Sequence, residues 1–581
     1  MGSVRVRLSV MMFLEYAVWG VWAVNLQGYL EGLESFRENA STKLTMIFMT
    51  MAIANILAPF VASQLADRYF STERFLAFSH LVGGLFLLWA SPLRFYLHVP
   101  PDVQSYEFLF WVMMGHCLLY APTVALTNAL AFANLPNGEK DFGSVRLWGT
   151  IGWIVVILLF GAWLGVRAWA PALRLQPAVG DCLIVAGVLS LVMAAFSLTL
   201  PHTPPSPKVE NPLAFLTAIK LARYPSFAVM LVVAFLVSTE LQFYYVLTPS
   251  FFHDEPGPSL SQRELQAAAD VDAPQARLML RFLDKNNNKK LSKAELEESS
   301  RREADLKATF AALEGTSRPE NEEAVANALK GADAQRNAEY ADAVARYVVA
   351  AVDTTGEKTV TAAQLEKFIK DTEPLNAADG PVARARAGFD AHATEKGGLN
   401  LDQAWVGPVM DIGQLFEILM LAILPFALAR LGFTLTIAIG IAAWALRYAL
   451  FALGTPVWLV LASQGLHGFG FGFFFVGCMI YSDRIAPKDI RASAQGIIIL
   501  VSFGFGMLVS SLVAGPIADY FENNWHYIFL APVAILVVCT IVFLIGFRPM
   551  PAVQESAAGA LKPPPPPGLD DVPATEEQKY L

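Results

Sequence analysis

The sequence predicts an all-α protein that crosses a membrane many times. Of its 581 residues, 55% are hydrophobic and only 16% are charged, although one long internal stretch is hydrophilic. The rest of the chain is therefore strongly apolar. Apolar segments of roughly 18–25 residues recur about twelve times, and each is long enough to cross a hydrocarbon core about 30 Å thick. These observations indicate a polytopic membrane protein.

The first segment is expected to be a retained helix and not a cleaved signal. It begins with Arg5 and Arg7, but its apolar run is long, contains Glu15 and lacks a small-residue cleavage site. The four cysteines fall in apolar segments and give neither a disulfide framework nor metal-ligand spacing. The twelve expected segments lie near 9–31, 42–64, 75–93, 105–131, 145–167, 179–200, 226–252, 406–430, 432–453, 457–481, 492–518 and 525–547.

The lysines and arginines of the short loops predict the orientation. Most of them, including Arg68, Arg74, Arg484 and Lys488, fall on one side of the membrane, whereas Arg94, Arg167 and Arg174 fall on the other. Because basic residues favour the cytoplasmic side, both termini are expected to be cytoplasmic. The hydrophilic insert then lies on the outer face, which is the periplasmic face if the membrane is a bacterial inner membrane and the cell exterior if it is a plasma membrane.

The chain is expected to form two bundles of six helices. The first bundle is 1–200, the central cytoplasmic loop is 201–225, and the second bundle is 226–252 with 406–548; the insert is 253–405, and the Pro-rich tail at 549–581 is expected to be disordered and cytoplasmic. An internal repeat supports this division, because LAPFVASQLADR in the second segment resembles LPFALAR in the eighth, and RLWGTIG in the fifth resembles RASAQG in the eleventh. Two such halves place a binding site between them at the bilayer midplane.

The stretch MDIGQLFEIL carries three polar residues at the head of an apolar segment: Asp411, Gln414 and Glu417. On an insertion scale, a charged side chain at the bilayer centre costs about 2.5–3.5 kcal/mol, so such residues normally face a cavity, a partner or a substrate. A spacing of three residues keeps them within a stripe about 120° wide on one face of a helix. That face is expected to line the central cavity.

Several stretches resemble a known family. They are FLEYAVWGVW, YAPTVALTNALAF, RLWGTIGWI, LTLPHTP, TELQFYY, GQLFE, AWALRYALFALG and IRASAQG, and they are spread over the apolar segments. The chain resembles the major facilitator superfamily and, within it, the nucleoside:proton symporters. The resemblance implies two six-helix bundles that import a nucleoside with protons by alternating access, and it does not cover the insert.

The resemblance also implies a set of substrate-binding positions. Arg146, Thr150, Gln242, Gln414 and Glu417 match positions that contribute to the family's substrate cavity. Three departures make the cavity less polar and more aromatic: Gly472 stands where the family has an acid, and Tyr245 and Phe475 stand where it has asparagines. Trp153, where the family has phenylalanine, adds to the aromatic surface. The substrate is then a nucleoside, a nucleobase or another small solute that tolerates aromatic surroundings.

Four residues are candidates for proton coupling: Glu417, Asp411, Glu15 and His467. Asp411 would replace the acid missing at Gly472, or it would be hydrated at the outer mouth. Glu15 and Glu240 have an alternative role as structural partners of intramembrane arginines such as Arg447. In the same way, His467 would be a packing residue instead of a proton relay. Arg146, near the cytoplasmic start of its helix, would anchor the membrane interface instead of contacting the substrate.

The insert contains a segment with the pattern of an EF-hand calcium loop, DKNNNKKLSKAE at 284–295. The expected ligands are Asp284, Asn286, Asn288, the Lys290 carbonyl and Glu295, while Lys289 stands where glycine normally makes the turn. A second loop, 353–364, ends in Gln364 and is a degenerate match; because EF-hands usually occur in pairs, it is the expected partner of the first loop. The insert is thus expected to be a small helical EF-hand-like domain that binds Ca²⁺, or one that keeps the fold without the metal.

The sequence carries no motif for chemistry of another kind. No phosphate-binding GxxxxGK[ST] motif and no GxSxG or HExxH motif occurs, so neither ATP-driven transport nor an enzyme is expected, and no cofactor is expected for transport. The mixed charges of the insert give no nucleic-acid patch. The expected partners are the bilayer, a nucleoside-like solute and protons, with the chain a monomer. Two functions compete with that of a proton-coupled importer: an uncoupled facilitator or exporter, and a transport-inactive sensor with a calcium-binding outer domain.

Overall fold

The computed structural model shows a helical protein with five short strands among its described residues. The described ranges are 2–31, 33–36, 39–61, 70–93, 105–135, 138–169, 178–204, 219–254, 257–284, 290–313, 319–332, 338–352, 359–395, 397–486 and 491–550.

The helices that precede the insert are long and apolar. They are α1 (Gly2–Glu31), α2 (Ala40–Val61), α3 (Thr72–Ala90), α4 (Tyr106–Asn134), α5 (Gly138–Trp169), α6 (Asp181–Ser197), α7 (Pro225–Ser238) and α8 (Thr248–His253). A π-helical turn at Phe243–Leu247 lies between α7 and α8. The start of α4 shows a local cause for a helix boundary, since the Ser105 hydroxyl accepts a hydrogen bond from the Phe108 N–H at 3.2 Å.

The insert alternates short strands with helices. Its elements are β1 (Pro258–Ser261), α9 (Gln262–Ala269), α10 (Ala273–Leu283), β2 (Lys290–Ser292), α11 (Lys293–Glu297), α12 (Ser299–Leu313), β3 (Glu320–Asn321), α13 (Glu322–Ala332), α14 (Ala338–Val352), β4 (Thr359–Val360), α15 (Ala362–Thr372), α16 (Pro381–His392) and β5 (Thr394–Glu395). Residues including Leu283, Leu291 and Val348 form its own hydrophobic core.

The helices after the insert complete the apolar part of the chain. They are α17 (Gln403–Leu453), α18 (Val457–Ala462), α19 (Leu466–Phe469), α20 (Gly477–Ile485), α21 (Arg491–Ile499), α22 (Met507–Tyr520) and α23 (Trp525–Gly546), with π-helical turns at Gly470–Val476 and Leu500–Gly506. Short 3₁₀ turns elsewhere in the chain lie at Glu34–Phe36, Lys220–Arg223, Glu373–Asn376 and Ser463–Gly465.

Nine helices of the described chain are long and apolar enough to cross a membrane. This confirms the expectation of a polytopic, mostly helical membrane protein. The longest of the nine, α17, has 51 residues, and Gly432 interrupts it with φ 70° and ψ 176°. A residue at positive φ cannot continue an α-helix, so α17 divides into two arms at the boundary expected between the eighth and ninth segments.

The helices before α7 pack mainly with one another, and so do those from α7 onward outside the insert. In the first group α1 packs on α5 and α3 packs on α4 and α6; in the second, α23 packs on α7 and α17. The two groups meet along α5 with α17 and along α2 with α22. We call these groups the N-terminal bundle (α1–α6) and the C-terminal bundle (α7–α8 and α17–α23).

The two bundles are in contact at the end that carries the insert. Between α1 and α8, the Gln27 side chain donates to the Ser250 hydroxyl at 2.9 Å, and Ser250 donates to Glu31 at 2.7 Å. Between α2 and α22, the backbone N–H groups of Ser41 and Thr42 donate to the Asp519 carboxylate at 3.0 and 2.9 Å. We call this set of contacts the insert-side seal.

The strand pairing within the insert differs from the expected pairing of loops. Strand β2, at the end of the 284–295 loop, pairs with β1 through Leu291 and Leu260, whereas β4 pairs with β3. The expectation that the 353–364 loop is the partner of the 284–295 loop is therefore wrong. Ser261 and Ser292 both begin helices with a capping box, so β1 and β2 lead into equivalent turns.

The insert is attached to the C-terminal bundle through buried polar contacts. The Lys290 ammonium pairs with the Asp254 carboxylate just after α8, and both side chains are less than one-tenth exposed. Asp254 also accepts a hydrogen bond from the Trp525 indole N–H at 2.8 Å. Nearby, Arg263 and Ser261 contact the Glu522 carboxylate, Arg263 at 3.2 Å. The seventh residue of the calcium-like loop thus touches the membrane core directly.

Replacing Lys290 with methionine is expected to loosen this attachment. Removing one partner of a buried ion pair leaves the other charge uncompensated, which typically costs about 3–5 kcal/mol. Faster hydrogen exchange is therefore expected in β1, β2 and the Trp525 region of the full-length protein in detergent. Lys293→Met is the matched control, because the Lys293–Asp390 pair is solvent-exposed and contributes little. Equal exchange in both variants would show that the Asp254 pair does not hold the insert.

Candidate functional site

The candidate site lies where α5 of the N-terminal bundle runs along α17 of the C-terminal bundle. A Cβ added at Gly161 would lie 2.7 Å from the Ala404 carbonyl oxygen, and one added at Gly407 would lie 2.8 Å from Ile157 Cγ2. Small residues at such crossings let helices approach closely. Ile157 precedes Gly161 on α5, whereas its partner Gly407 follows Ala404 on α17. The two helices are therefore antiparallel.

The same pairing continues to Arg146 and Glu417, whose charges interact across the two bundles. An α-helix rises about 1.5 Å per residue, so the antiparallel register places Thr150 opposite Gln414 and Trp153 opposite Asp411. Each such pair lies at one level along the axes of the two helices. Five of the six residues had been proposed for the substrate cavity, and Asp411 for proton coupling. We call these three levels, 146/417, 150/414 and 153/411, the α5–α17 seam.

Arg146 lies well inside α5. The helix begins at Gly138, eight residues earlier, so Arg146 lies about two turns from the helix start. Its guanidinium stacks on the Tyr16 ring of α1, with 4.0 Å between the Arg146 Cζ atom and the ring centroid. A cation held against an aromatic face and facing an acid on the other bundle is well placed to bind a polar solute between them.

Several buried polar atoms of the seam have no hydrogen-bond partner among the described residues. They are both carboxylate oxygens of Asp411, the side-chain oxygen of Gln414 and the indole nitrogen of Trp153. Most buried polar groups in proteins are hydrogen-bonded, so a row of unsatisfied donors and acceptors indicates a place for a polar ligand or for water. Asp411 is only 1% exposed, so in this conformation it is closed off from the outer mouth.

Aromatic side chains line the N-terminal side of the seam. The rings of Trp153 and Trp19 meet edge to face at 5.4 Å, and Trp19 also lies near Tyr16 and Tyr120 at 6.4 and 6.3 Å. Trp19 and Tyr16 were not chosen from the sequence, although both belong to the FLEYAVWGVW stretch and are three residues apart on one helical face. Their rings give the seam a surface on which a flat base can stack.

Three other expected cavity residues lie on the C-terminal bundle, and of these Tyr245 interacts electrostatically with Glu417 of the seam. Gln242 is fully buried and donates its side-chain N–H to the Ser511 hydroxyl at 2.9 Å. Phe475 is fully buried between Trp444 and Phe503, with ring centroids 5.5 and 4.9 Å away. Tyr245 is half-buried beside Tyr244 at 5.1 Å. Gln242 and Phe475 thus pack between helices, and no described contact places either one at the seam.

Glu15 lies in a buried network within the N-terminal bundle. Its carboxylate meets His80 Nε2 at 2.9 Å and accepts a hydrogen bond from the Thr123 hydroxyl at 2.7 Å. His80 in turn contacts the Ser190 hydroxyl at 3.1 Å. The expected pairing of Glu15 with an intramembrane arginine is therefore wrong, because its basic partner is a histidine.

Glu240, Arg447 and His467 form the corresponding network in the C-terminal bundle. Arg447 is fully buried, lies 3.6 Å from the Glu240 carboxylate and donates to His467 Nδ1 at 3.1 Å. The Tyr448 hydroxyl also contacts Glu240. The expected Glu240–Arg447 pair is present. Because arginine can only donate, His467 Nδ1 is an acceptor, and a proton on that nitrogen would break the bond.

The ends of the calcium-like loop are described, but its centre is not. Asp284 follows α10, Lys290 starts β2, and Glu295 lies in the first turn of α11, where one of its oxygens accepts from the Ser292 N–H at 2.9 Å. Asn286 and Asn288 lie outside the described residues. Among the residues that are described, no group of three or more His, Cys, Asp or Glu side chains is arranged to hold a metal ion.

The chain is similar to known nucleoside transporters over most of its length. A family model described as nucleoside H⁺ symporter matches residues 2–266 and 389–551, and thus omits most of the insert. The chain is 23% identical to the xanthosine permease of Escherichia coli (strain K12), over 94% of this chain and 96% of the permease. It is 21% identical to the nucleoside permease NupG of the same organism, with the same coverage. A crystal structure of the nucleoside transporter NupG superposes with a TM-score of 0.56 at 20% identity, over 94% of this chain and 99% of that one.

Proposed function

The chain belongs to the nucleoside H⁺ symporter family, and from this premise we propose that it imports a nucleoside-like solute together with protons by alternating access. In this proposal the two bundles each contribute six crossing helices. The twelve comprise the nine long helices, with α17 counted as two, and the shorter α3 and α6. Both termini are cytoplasmic and the insert lies on the outer face.

The α5–α17 seam is the observation that carries the proposal. Arg146 and Glu417 bring opposite charges from the two bundles to one level, and Gln414, Trp153 and Asp411 leave polar atoms unsatisfied beside them. Ribose hydroxyls and base edges offer the donors and acceptors that such atoms need. The rings of Trp153 and Trp19 add a stacking surface for the base. A solute bound here touches both bundles, as alternating access requires.

Uptake by purified protein in liposomes tests the proposal. Radiolabelled uridine, adenosine and xanthosine are supplied outside at acidic pH, with the liposome interior neutral, in the presence or absence of a protonophore. Accumulation of at least one nucleoside above its outside concentration is expected, and the protonophore should abolish it. Uptake that equilibrates regardless of the protonophore would indicate a facilitator. Uptake of none of the three would reject the nucleoside assignment.

We also propose that the 284–295 loop binds Ca²⁺. The support is the ligand pattern of the loop and its flanking helices α10 and α11, which place Asp284 and Glu295 at the two ends of a helix–loop–helix unit. Carboxylate and carbonyl oxygens are the donors that Ca²⁺ prefers. A bound ion would neutralise the acidic ends of the loop next to Lys290, which contacts the membrane core.

Calcium binding is expected to stabilise the full-length protein in detergent. Melting curves recorded with added Ca²⁺ or with a chelator should differ, and Glu295→Gln should remove the difference, because position twelve normally supplies both oxygens of a carboxylate. Extracellular calcium modules typically bind with Kd values of roughly 10⁻⁴–10⁻³ M, so millimolar Ca²⁺ is the appropriate concentration. Glu297→Gln, on the same helix but outside the loop, is the control. Identical curves for the unsubstituted protein with and without Ca²⁺ would contradict the proposal.

A further inference from the structure

Asp411 is a buried acid at the junction of the two bundles. It lies on the first arm of α17, about two turns from the Gln403 end and therefore close to the insert-side seal. It is 1% exposed, and neither carboxylate oxygen has a hydrogen-bond partner among the described residues. In the seam its level is that of Trp153 on the other bundle, so separating the bundles at this end would expose it.

The basic groups of the neighbouring helices are engaged elsewhere. On α5, Arg146 faces Glu417 and Tyr16; on the C-terminal bundle, Arg447 is held by Glu240 and His467. Other titratable groups on the packed helices include Glu15, Tyr16 and Glu31 on α1, Glu240, Tyr244 and Tyr245 between α7 and α8, His467 on α19, and Glu417 on α17 itself. Of these, Tyr244 interacts electrostatically with Asp411. No cation among the described residues pairs with it.

An isolated carboxylate in such surroundings is far less stable than the neutral acid, because desolvation of the charge is not offset by a partner. We propose that Asp411 carries the transported proton, and that its protonation is the condition for closing the insert-side seal. The inference rests on the proposed proton-coupled function and adds to it the residue and the step at which the proton acts. With the seal open, Asp411 meets water and binds a proton; the neutral acid then allows the bundles to close around it.

The polar stripe of α17 provides the exit for the proton. Asp411, Gln414 and Glu417 follow one another along one face, and Asp411 and Glu417 are separated by roughly 9 Å of helix rise. With the seal closed, the proton passes through water along this stripe to the Glu417 level and leaves on the opposite side of the membrane. Asp411 is then charged and unpaired inside the seal, which favours reopening on the insert side.

Asp411→Asn separates coupling from transport. The amide imitates the neutral acid but cannot release a proton, so the variant should lose all nucleoside accumulation driven by a proton gradient and all nucleoside-induced acidification of the liposome interior, measured with an enclosed pH dye. Exchange of external labelled nucleoside for unlabelled nucleoside inside the liposome needs no net proton movement and should persist. Asp411→Glu should restore part of the coupling.

The control is Asp181→Asn. Asp181 is a buried acid at the start of α6 that is hydrogen-bonded to Trp163 at 3.0 Å, within the N-terminal bundle, and its amide variant should keep coupled accumulation. Normal accumulation by Asp411→Asn would overturn the inference. Loss of exchange together with accumulation would also overturn it, because the neutral side chain should support closure. If the unsubstituted protein exchanges nucleoside but never couples uptake to protons, the proposed function fails first.

Discussion

Replacing Glu417 with glutamine is expected to reduce nucleoside accumulation strongly while leaving the protein folded. The change keeps the size of the side chain but removes the negative charge that faces Arg146 across the two bundles. A hydrogen bond to a charged group typically contributes about 1.5–3 kcal/mol, so nucleoside binding should weaken about 10- to 100-fold. Glu417 is half-buried and lies at the seam, so its substitution should change the melting temperature little.

Binding and uptake are measured on the same preparations. Arg146→Gln should also weaken binding, and the effects of the two substitutions should not be additive in the double variant, because the two charges interact. Glu107→Gln, at an exposed position at the start of α4, is the matched control and should transport normally. Full uptake by Glu417→Gln would show that the α5–α17 seam does not take part in transport.

The polar stripe of α17 could be recognised from the sequence because its signal is local. Asp411, Gln414 and Glu417 stand out against an apolar segment, and their spacing fixes a shared helical face without knowledge of any other helix. These side chains face α5 of the other bundle because of the tertiary packing, in which Gly161 closely approaches Ala404. The family resemblance predicts Arg146 and Thr150 as cavity residues. The structure is needed to show that they lie opposite Glu417 and Gln414.

Partners of buried acids were harder to foresee. A carboxylate in a membrane needs a donor or a proton, and the sequence offers several histidines and arginines that fit. Glu15 takes His80 instead of an arginine because α1 packs on α4 and α6 within its own bundle, where Thr123 and Ser190 complete the network. The choice depends on helix packing, which the residues near Glu15 do not encode.

Gln242 and Phe475 are cavity predictions that rest on the family resemblance alone. Both lie at π-helical turns, Phe243–Leu247 and Gly470–Val476, which shift side chains around the helix axis relative to a regular α-helix. Gln242 contacts Ser511, and Phe475 packs on Phe503. Such turns have no simple sequence signature, so the direction of the two side chains could not be predicted.

The two bundles repeat one arrangement with different chemistry. Glu15 on the first expected segment pairs with His80 on the third, and Glu240 on the seventh pairs with Arg447 on the ninth. Helices that the internal repeat predicts to be equivalent thus each hold a buried acid against a buried base. The histidine pair can be neutral, whereas arginine keeps its charge, so the C-terminal pair is the one whose disruption leaves a charge behind.

Replacing Arg447 with methionine is therefore expected to destabilise the protein strongly. Methionine fills similar volume, but Glu240 would keep only the Tyr448 hydroxyl as a partner in a fully buried site, and breaking a buried pair in this way typically costs about 3–5 kcal/mol. The loss of the Arg447 stack on Tyr244, with 4.1 Å between the guanidinium carbon and the ring centroid, adds to the effect. All four cysteines are buried, so unfolding in detergent can be followed by their reaction with a thiol-reactive fluorophore.

The double variant Arg447→Met/Glu240→Gln identifies the cause. If the uncompensated charge is responsible, removing both charges should recover most of the lost stability, since an uncharged pair of similar volume is often tolerated where a single charge is not. Arg484→Met is the control, because Arg484 is exposed and its contact with Phe433, at 5.4 Å, is peripheral. A double variant as unstable as Arg447→Met would mean that the stacking and hydrogen bonds of Arg447, and not its pairing with Glu240, hold the helices of the C-terminal bundle together.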